Sequence, residues 1–212
     1  AEHVGFGNVL GPDRKMFKTR AGGTVKLIGL LDEAVERAEA ALRDRSDALS
    51  DDERRALAGE IARAAIKYAD LSTERSRDYV FDLDRMLAFE GDTGPYLQYA
   101  HARIRSIFRR LGEEWSAPEV AFALVEPAAR ALAVKILGLP EAIGATFEDY
   151  APHKLCTYLF ELAQDFTAFY DACPVLVSEG AVRDERLALC ALTATTLRVG
   201  LSLLGIAAPE RM

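Results

Sequence analysis

Cysteine and histidine are scarce in this chain, which holds three of each in 212 residues. Cys156, Cys173 and Cys190 form no Cys-x-x-Cys pair, and the histidines have no ligand spacing to one another or to the cysteines. These spacings predict neither a disulfide framework nor a metal site. Free thiols without a framework favour a reducing compartment, so we expect a cytoplasmic protein whose cysteines are small, buried apolar residues.

Long apolar runs are also missing. No stretch approaches the roughly 18 apolar residues that cross a bilayer, and the first residues lack the pattern of a secretion signal, so we expect no membrane partner. Half of the residues are apolar and 28% are charged, which is typical of soluble globular proteins. The length allows one large or two small domains, and we expect a monomer.

Positive charge is in short supply, with 26 basic against 33 acidic side chains and a net charge of −7. Residues 91–110, GDTGPYLQYAHARIRSIFRR, depart from this balance with four arginines and one acid. At about 100° per residue, two tyrosines and two arginines gather on one strip beside an apolar face. The strip consists of Tyr96, Tyr99, Arg103 and Arg110. Such a strip suits RNA phosphates and unstacked bases, although core tyrosines and solvated arginines would give the same pattern.

The order of elements predicts a mainly α fold. Residues 1–30 are rich in glycine and β-branched residues and predict strands and tight loops, and residues 79–84 predict another short strand. A helix over 30–45 carries acids in its first turn, and Ser50 with Glu53 forms a capping box for the next helix. Further helices are expected over 95–111, 117–138 with a kink at Pro127, 152–171 and 184–204. We therefore predict an antiparallel helical bundle preceded by a small α/β part.

A second basic stretch, KMFKTRAGGTVKL over residues 15–27, surrounds two glycines with no acid. Its cations are Lys15, Lys18, Arg20 and Lys26. A loop of this kind can close over a polyphosphate, although a solvated basic turn is the alternative. It is not a Walker loop, because no Gly-x-x-x-x-Gly-Lys-Ser/Thr occurs.

These motifs occur together in one known family. HVGFGNVLG followed by FKTRAGGTVKL resembles the ATP-binding signature loop of class I aminoacyl-tRNA synthetases in its arginyl form. EGDTGPYLQYAHARIRSI and the terminal PERM resemble the anticodon-binding helical domain of the same enzymes. The chain thus resembles the C-terminal part of an arginyl-tRNA synthetase. The resemblance implies a remnant of the catalytic domain with connecting helices over residues 1–90 and an anticodon-binding bundle over residues 91–212.

The resemblance also implies an activity, the ATP-dependent attachment of arginine to its tRNA, with Mg²⁺ accompanying ATP. The implied catalytic cations are Lys15, Lys18 and Arg20. The implied ATP-binding residues are His3, Gly5, Phe6, Gly7 and Val9. The implied tRNA-binding residues are Tyr96, Tyr99, Arg103, Phe166, Tyr170 and Met212. Thr19 stands where the family pattern has its second lysine, so which lysine reaches the pyrophosphate stays open.

The other class I signature, His-Ile-Gly-His, does not occur in these residues. We therefore expect a fragment that contributes the signature loop and anticodon binding but makes no adenylate alone. Arg75 and Arg77 are further candidates for phosphate contacts, with solvated charge as the alternative. Burial in the core is the alternative for Phe166 and Tyr170. A non-catalytic helical module that binds RNA or protein, or a fragment of a cysteinyl-type synthetase, remains the competing interpretation.

Overall fold

The computed structural model describes residues 3–16, 27–43, 49–112 and 122–212, and within these the chain is mainly helical, as predicted. Two very short strands, β1 and β2, accompany eight helices in that described part. In chain order the elements are β1 Val9–Leu10, α1 Leu27–Arg43, α2 Asp51–Ser72, β2 Tyr79–Val80, α3 Leu83–Met86, α4 Gly94–Leu111, α5 Pro127–Leu137, α6 Leu139–Asp149, α7 Pro152–Ala172 and α8 Gly180–Leu203.

The first part of the chain packs around α2. β1 pairs in parallel with β2, with Val9 opposite Tyr79, while α1 packs along α2. The predicted capping box is confirmed, because the Glu53 amide donates to Ser50 Oγ and the Ser50 amide donates to the Glu53 carboxylate. The predicted acids in the first turn of α1 are wrong, since the helix begins at Leu27 and its first turn holds none.

The strand predicted over 79–84 is shorter than expected. It ends at Val80 because the Asp82 carboxylate accepts hydrogen bonds from the amides of Asp84 and Arg85, which starts α3. A short acceptor side chain at this position competes with the strand for the backbone and favours a helix start.

The helix predicted over 117–138 begins later, at Pro127. Proline has no amide hydrogen to lose at the first helical position, and its fixed φ suits that position, so Pro127 starts α5 instead of kinking it. Residues 117–121 of the predicted range lie outside the described residues. The sequence did not predict α6, none of whose residues is buried.

The bundle core joins α2, α4, α5, α7 and α8. The predicted apolar face of α4 is confirmed, with Leu97 and Ile104 fully buried and Ile107 only 2% exposed. All three cysteines are buried as predicted, and burial raises the pKa of Cys156 and of Cys190 to about 12. By length and composition alone α8 could cross a membrane, but 56% of its apolar stretch is buried in the bundle, which makes that weak evidence for a span.

Helices α2 and α4 approach each other closely at one point. A Cβ on Gly94 would lie 2.5 Å from the carbonyl oxygen of Ala64 on α2. Beside this contact the hydroxyl of Tyr68, itself 1% exposed, donates to Asp92 Oδ1 at 2.6 Å and lies 3.1 Å from the carbonyl oxygen of Cys156 on α7. Tyr68 therefore ties α2, the turn before α4, and α7 together.

The close approach at Gly94 predicts that alanine lowers stability there but not at Gly59, a glycine of α2 that has no such contact. Gly94→Ala should lower the free energy of unfolding by about 1–3 kcal/mol, because the new methyl group has no room against Ala64. Gly59→Ala, in the middle of α2, should leave stability unchanged or raise it by about 0.5–1 kcal/mol, since only the movable end of Arg63 is nearby. Urea unfolding followed by circular dichroism measures both, and equal effects would contradict the packing.

The C-terminal residues after α8 lie against α2 and α4. Their backbone carbonyls accept hydrogen bonds from side chains of the two helices, and Met212 packs against the apolar cluster between α1 and α2. The bonds are Lys67 to Gly205 at 2.6 Å, Gln98 to Ala207 at 2.9 Å, His101 to Pro209 at 3.0 Å and Arg109 to Glu210 at 2.5 Å. We call residues 205–212 the tail.

The buried His101 predicts a loss of stability in acid. Burial lowers the pKa of His101 below its usual 6.5, although the Pro209 carbonyl and Glu210 act in the opposite direction. The unfolded chain therefore binds this proton more readily, so the stabilisation is complete above about pH 6.5 and is lost as the pH falls through the folded-state pKa. The free energy of unfolding should fall more between pH 7.5 and 5.5 in the natural chain than in His101→Gln.

The control is His3→Gln, which removes an exposed histidine. This variant should keep the pH dependence of the natural chain. A His101→Gln chain with an unchanged pH dependence would contradict the assignment.

Candidate nucleic-acid interface

The surface between α4 and α7 carries an aromatic and cationic cluster. The Arg103 guanidinium lies over the Tyr170 ring, with Cζ 4.9 Å from the ring centroid, which is a cation–π contact. Tyr99, one turn before Arg103 on the same strip of α4, is 40% exposed. The structure thus brings Arg103 of α4 and Tyr170 of α7 together although they lie 67 positions apart in the chain, and Tyr99 is next to Arg103 on the same face of α4. We call Tyr99, Arg103 and Tyr170 the stacking cluster.

Two further predicted tRNA-binding residues lie beneath this surface. Phe166 is 1% exposed, and its ring centroid is 5.9 Å from that of Tyr170. Tyr96 is half-buried and meets Phe160 edge-on, with centroids 5.8 Å apart. Phe166 thus supports Tyr170 from the core side and presents no face to a ligand, whereas Tyr96 packs on Phe160 and is only partly accessible.

Met212 lies elsewhere. It is half-buried against the cluster of α1 and α2 that includes Leu42, Leu57 and Ile61. The tail contacts α2 through Lys67 and α4 through Gln98, His101 and Arg109 before it reaches this cluster. Arg110, at the end of the α4 strip, is exposed.

The segment around Gly5–Asn8 is held by the loop between α2 and β2. The Gly7 amide donates to the Arg75 carbonyl at 2.6 Å, and the Arg75 guanidinium donates to the Gly5 carbonyl at 3.1 Å. The Asn8 amide donates to Asp78 Oδ1 at 2.6 Å. Because a Cβ on Gly7 would lie 2.2 Å from the Arg77 carbonyl oxygen, only glycine fits this close approach.

A groove of about 440 Å³ borders this segment, lined in part by Phe6, Gly7 and Val9. Phe6 is 88% exposed, and His3 and Gly5 are also exposed. The backbone of the predicted ATP-binding segment is thus fixed while its side chains stay accessible. The guanidinium of Arg75 is engaged by Gly5, and the exposed Arg77 lies 3.8 Å from the Glu74 carboxylate.

Of the three predicted catalytic cations, only Lys15 lies in the described part of the chain. Lys15 is exposed beside Met16, which forms an antiparallel bridge with Leu10. Lys18 and Arg20 lie outside the described residues. Within residues 3–16, 27–43, 49–112 and 122–212, no group of three metal-ligating side chains comes together.

Sequence reasoning missed the residues that hold the Gly5–Asn8 segment and the tail in place. Asp78, which holds Asn8, and Glu210, whose carboxylate lies 2.6 Å from Arg105 Nε, contact partners 70 and 105 positions away. No local pattern indicates such pairs. The alternation around Asp78 could have pointed only to a strand.

Two families match the chain in tandem. The family described as tRNA synthetases class I (R), catalytic domain, matches residues 1–83, and the family described as DALR anticodon binding domain matches residues 97–212. The chain belongs to the arginyl-tRNA synthetase family. The resemblance seen in the sequence is thereby confirmed, and the match to the arginyl catalytic domain disfavours the cysteinyl interpretation. The boundary at residue 90 stays a prediction.

Individual relatives agree with the family. The arginine–tRNA ligase of Frankia casuarinae is 55% identical over 99% of this chain, which covers 36% of that relative, and the ligase of Thermobifida fusca is 53% identical with coverages of 99% and 37%. The arginyl-tRNA synthetase structure from Thermus thermophilus matches with a TM-score of 0.89 and 37% identity, covering 99% of this chain and 35% of the other. The chain thus spans about a third of the length of the relatives that it matches.

The contact between Arg103 and Tyr170 predicts an energetic coupling. In a double-mutant cycle, Arg103→Gln and Tyr170→Leu should show a favourable interaction of about 0.5–1 kcal/mol in the free energy of unfolding. Arg110→Gln with Tyr170→Leu is the matched control, and we expect it to be additive. A cycle on Arg103 that is equally additive would mean that the two side chains are independent.

Proposed function

We propose that this chain is the tRNA-binding and signature-loop part of an arginine–tRNA ligase. The observation that carries the proposal is the stacking cluster, because it lies on the anticodon-binding bundle that the family match assigns. The complete activity joins arginine to its tRNA with ATP and Mg²⁺, first as an adenylate and then as an ester of the terminal ribose. We further propose a cytoplasmic monomer with no membrane partner.

The bundle reads the anticodon through the aromatic and cationic surface between α4 and α7. Tyr99 offers an exposed ring on which an unpaired base stacks, and the Arg103 guanidinium, which lies over the half-buried Tyr170 ring, adds a charged planar group to the same surface. Phe166 supports Tyr170 from the core, while Tyr96 packs on Phe160. Met212 contributes at the end of the tail, which it anchors on the apolar cluster between α1 and α2.

The N-terminal segment serves the ATP site. His3, Gly5, Phe6, Gly7 and Val9 line the adenine pocket, largely through their backbone. The hydrogen bond that the Arg75 guanidinium donates to the Gly5 carbonyl and the one that Asp78 accepts from the Asn8 amide support this role, because they fix that backbone. Lys15, together with Lys18 and Arg20, neutralises the polyphosphate as pyrophosphate leaves.

The test is binding of this chain to an arginine tRNA transcript and to the same transcript with a changed anticodon. We expect tighter binding to the unchanged anticodon. The protein surface around the fixed rings accepts only bases whose edges fit it. Tyr99→Ala and Tyr170→Ala should each weaken binding by about 1–3 kcal/mol, the free energy of one stacked base. Filter binding or fluorescence anisotropy at several salt concentrations measures both effects.

Tyr150→Ala is the control, since Tyr150 is an exposed tyrosine at the C-terminal end of α6. It should leave affinity unchanged. Equal affinity for the two transcripts, with no loss from Tyr99→Ala and Tyr170→Ala, would contradict anticodon reading by the bundle. It would favour the alternative of a non-catalytic interaction module.

A further inference from the structure

The tail brings a distant arginine to the end of α4. Glu210 is fixed twice, because its carboxylate lies 2.6 Å from Arg105 Nε and its carbonyl oxygen accepts a hydrogen bond from Arg109 at 2.5 Å. Arg211 follows directly and is exposed. Because the Glu210 carbonyl that binds the Arg109 guanidinium is bonded to the Arg211 amide, the tail places Arg211 next to Arg109 and Arg105 at the end of α4, about 100 residues away in the sequence.

The positive charges at this point are only partly balanced. The Glu210 carboxylate compensates Arg105, whereas Arg109 donates to an uncharged carbonyl. Partial burial, followed by the positive charges of Arg211 and Arg105, holds the pKa of Arg109 below its usual value. Glu53 on α2 is a nearby acid, and its pKa is lowered first by its hydrogen bonds with Ser50 and then by the charge of Arg211. Of the two acidic side chains here, Glu210 is paired with Arg105 and Glu53 is bound to Ser50, so neither is hydrogen-bonded to Arg109.

Helix electrostatics explains only some of these arginines. Cations are favoured in the last turn of a helix by the macrodipole, and Arg109 and Arg110 occupy the last turn of α4. Arg211 belongs to no helix and comes from the tail. Its charge adds to a cluster of positive side chains that repel one another. A bound anion would lower this repulsion.

The cluster also continues the RNA-facing strip. On α4, Arg103 of the stacking cluster is followed by Arg110 on the same exposed side, and Arg109 lies next to it on the side of the tail. At 1.5 Å per residue, Arg103 and Arg110 are about 10 Å apart along the helix axis. A strand that stacks beside Tyr99 and Arg103 and follows α4 towards its C-terminal end would carry its phosphates past Arg110 and Arg109.

We propose that Arg109 and Arg211 form a phosphate-binding site for an RNA backbone, assembled by the tail and separate from the rings that read bases. The proposal rests on the proposed function, because the stacking cluster directs the RNA to this end of α4. Glu210 is a positioning residue in it, since it fixes the tail so that Arg211 stands beside Arg109. The site contributes affinity that depends on salt but not on sequence.

The experiment measures the salt dependence of binding to the arginine tRNA transcript for the full chain and its variants. One neutralised phosphate contributes about 0.7–0.9 to the slope of log affinity against log salt concentration. Arg211→Gln should reduce the slope by that amount and make binding about fivefold weaker at 0.1 M salt. Arg211→Lys, which keeps the charge, should keep the slope. Arg109→Gln should also reduce the slope, because it removes the other cation of the site and the hydrogen bond that holds the tail.

Arg43→Gln is the matched control, because it removes one exposed arginine from the end of α1, where Arg43 pairs with Glu39. It should leave the slope unchanged. Circular dichroism verifies that each variant is folded. Slopes for Arg211→Gln and Arg109→Gln equal to that of the natural chain would overturn the site.

The changed-anticodon transcript separates this inference from the proposed function. A slope reduction that is the same on both transcripts, together with weaker binding of the changed one, supports both. Anticodon discrimination with unaltered slopes overturns only the phosphate site. A slope reduction without discrimination overturns only anticodon reading, and no binding of either transcript at low salt overturns both.

Discussion

The packing of α2 on two sides is the constraint on which the rest of the structure depends. One face of α2 contacts α1 through residues such as Ala58 and Ile61, and the other contacts α4 and α7 through Ala64 and Tyr68. The close approach at Gly94 and the hydrogen bonds of the buried Tyr68 hydroxyl leave little freedom for these helices to shift. Close-packed interiors resist such shifts because each one opens voids or creates clashes.

Both regions for which a function is proposed are attached to this helix. The loop that follows α2 holds the Gly5–Asn8 segment through Arg75 and Asp78, while the opposite side of α2 positions α4 and its strip of tyrosine and arginine. The tail lies along the groove between α2 and α4, with Lys67 from one helix and Gln98 from the other bound to its carbonyls. A single helix thus connects the segment proposed for ATP with the surface proposed for RNA.

The charge of the chain is distributed unevenly, with α4 more basic than the chain as a whole. The chain carries a net charge of −7, yet α4 has basic residues in its last turn and none of its first-turn residues is acidic. Local fields decide where a polyanion binds, whereas the overall negative charge opposes indiscriminate contact with nucleic acids. The buried aromatic rings under Tyr170 add a firm support, so that a cation–π contact with Arg103 can form at the surface.

Periodicity and capping were enough to predict the bundle, the apolar face of α4 and the Ser50–Glu53 box, because these depend on residues within one or two turns of each other. The motifs were enough to indicate the family.

The burial of Phe166 beneath Tyr170 and the start of α5 at Pro127 were not predictable in this way. The pairing of Arg103 with Tyr170, and the arrival of Arg211 beside Arg109, depend on how whole helices pack, since their partners are 67 and about 100 positions apart. Local pattern sets which residues share a face, but only packing sets which faces meet.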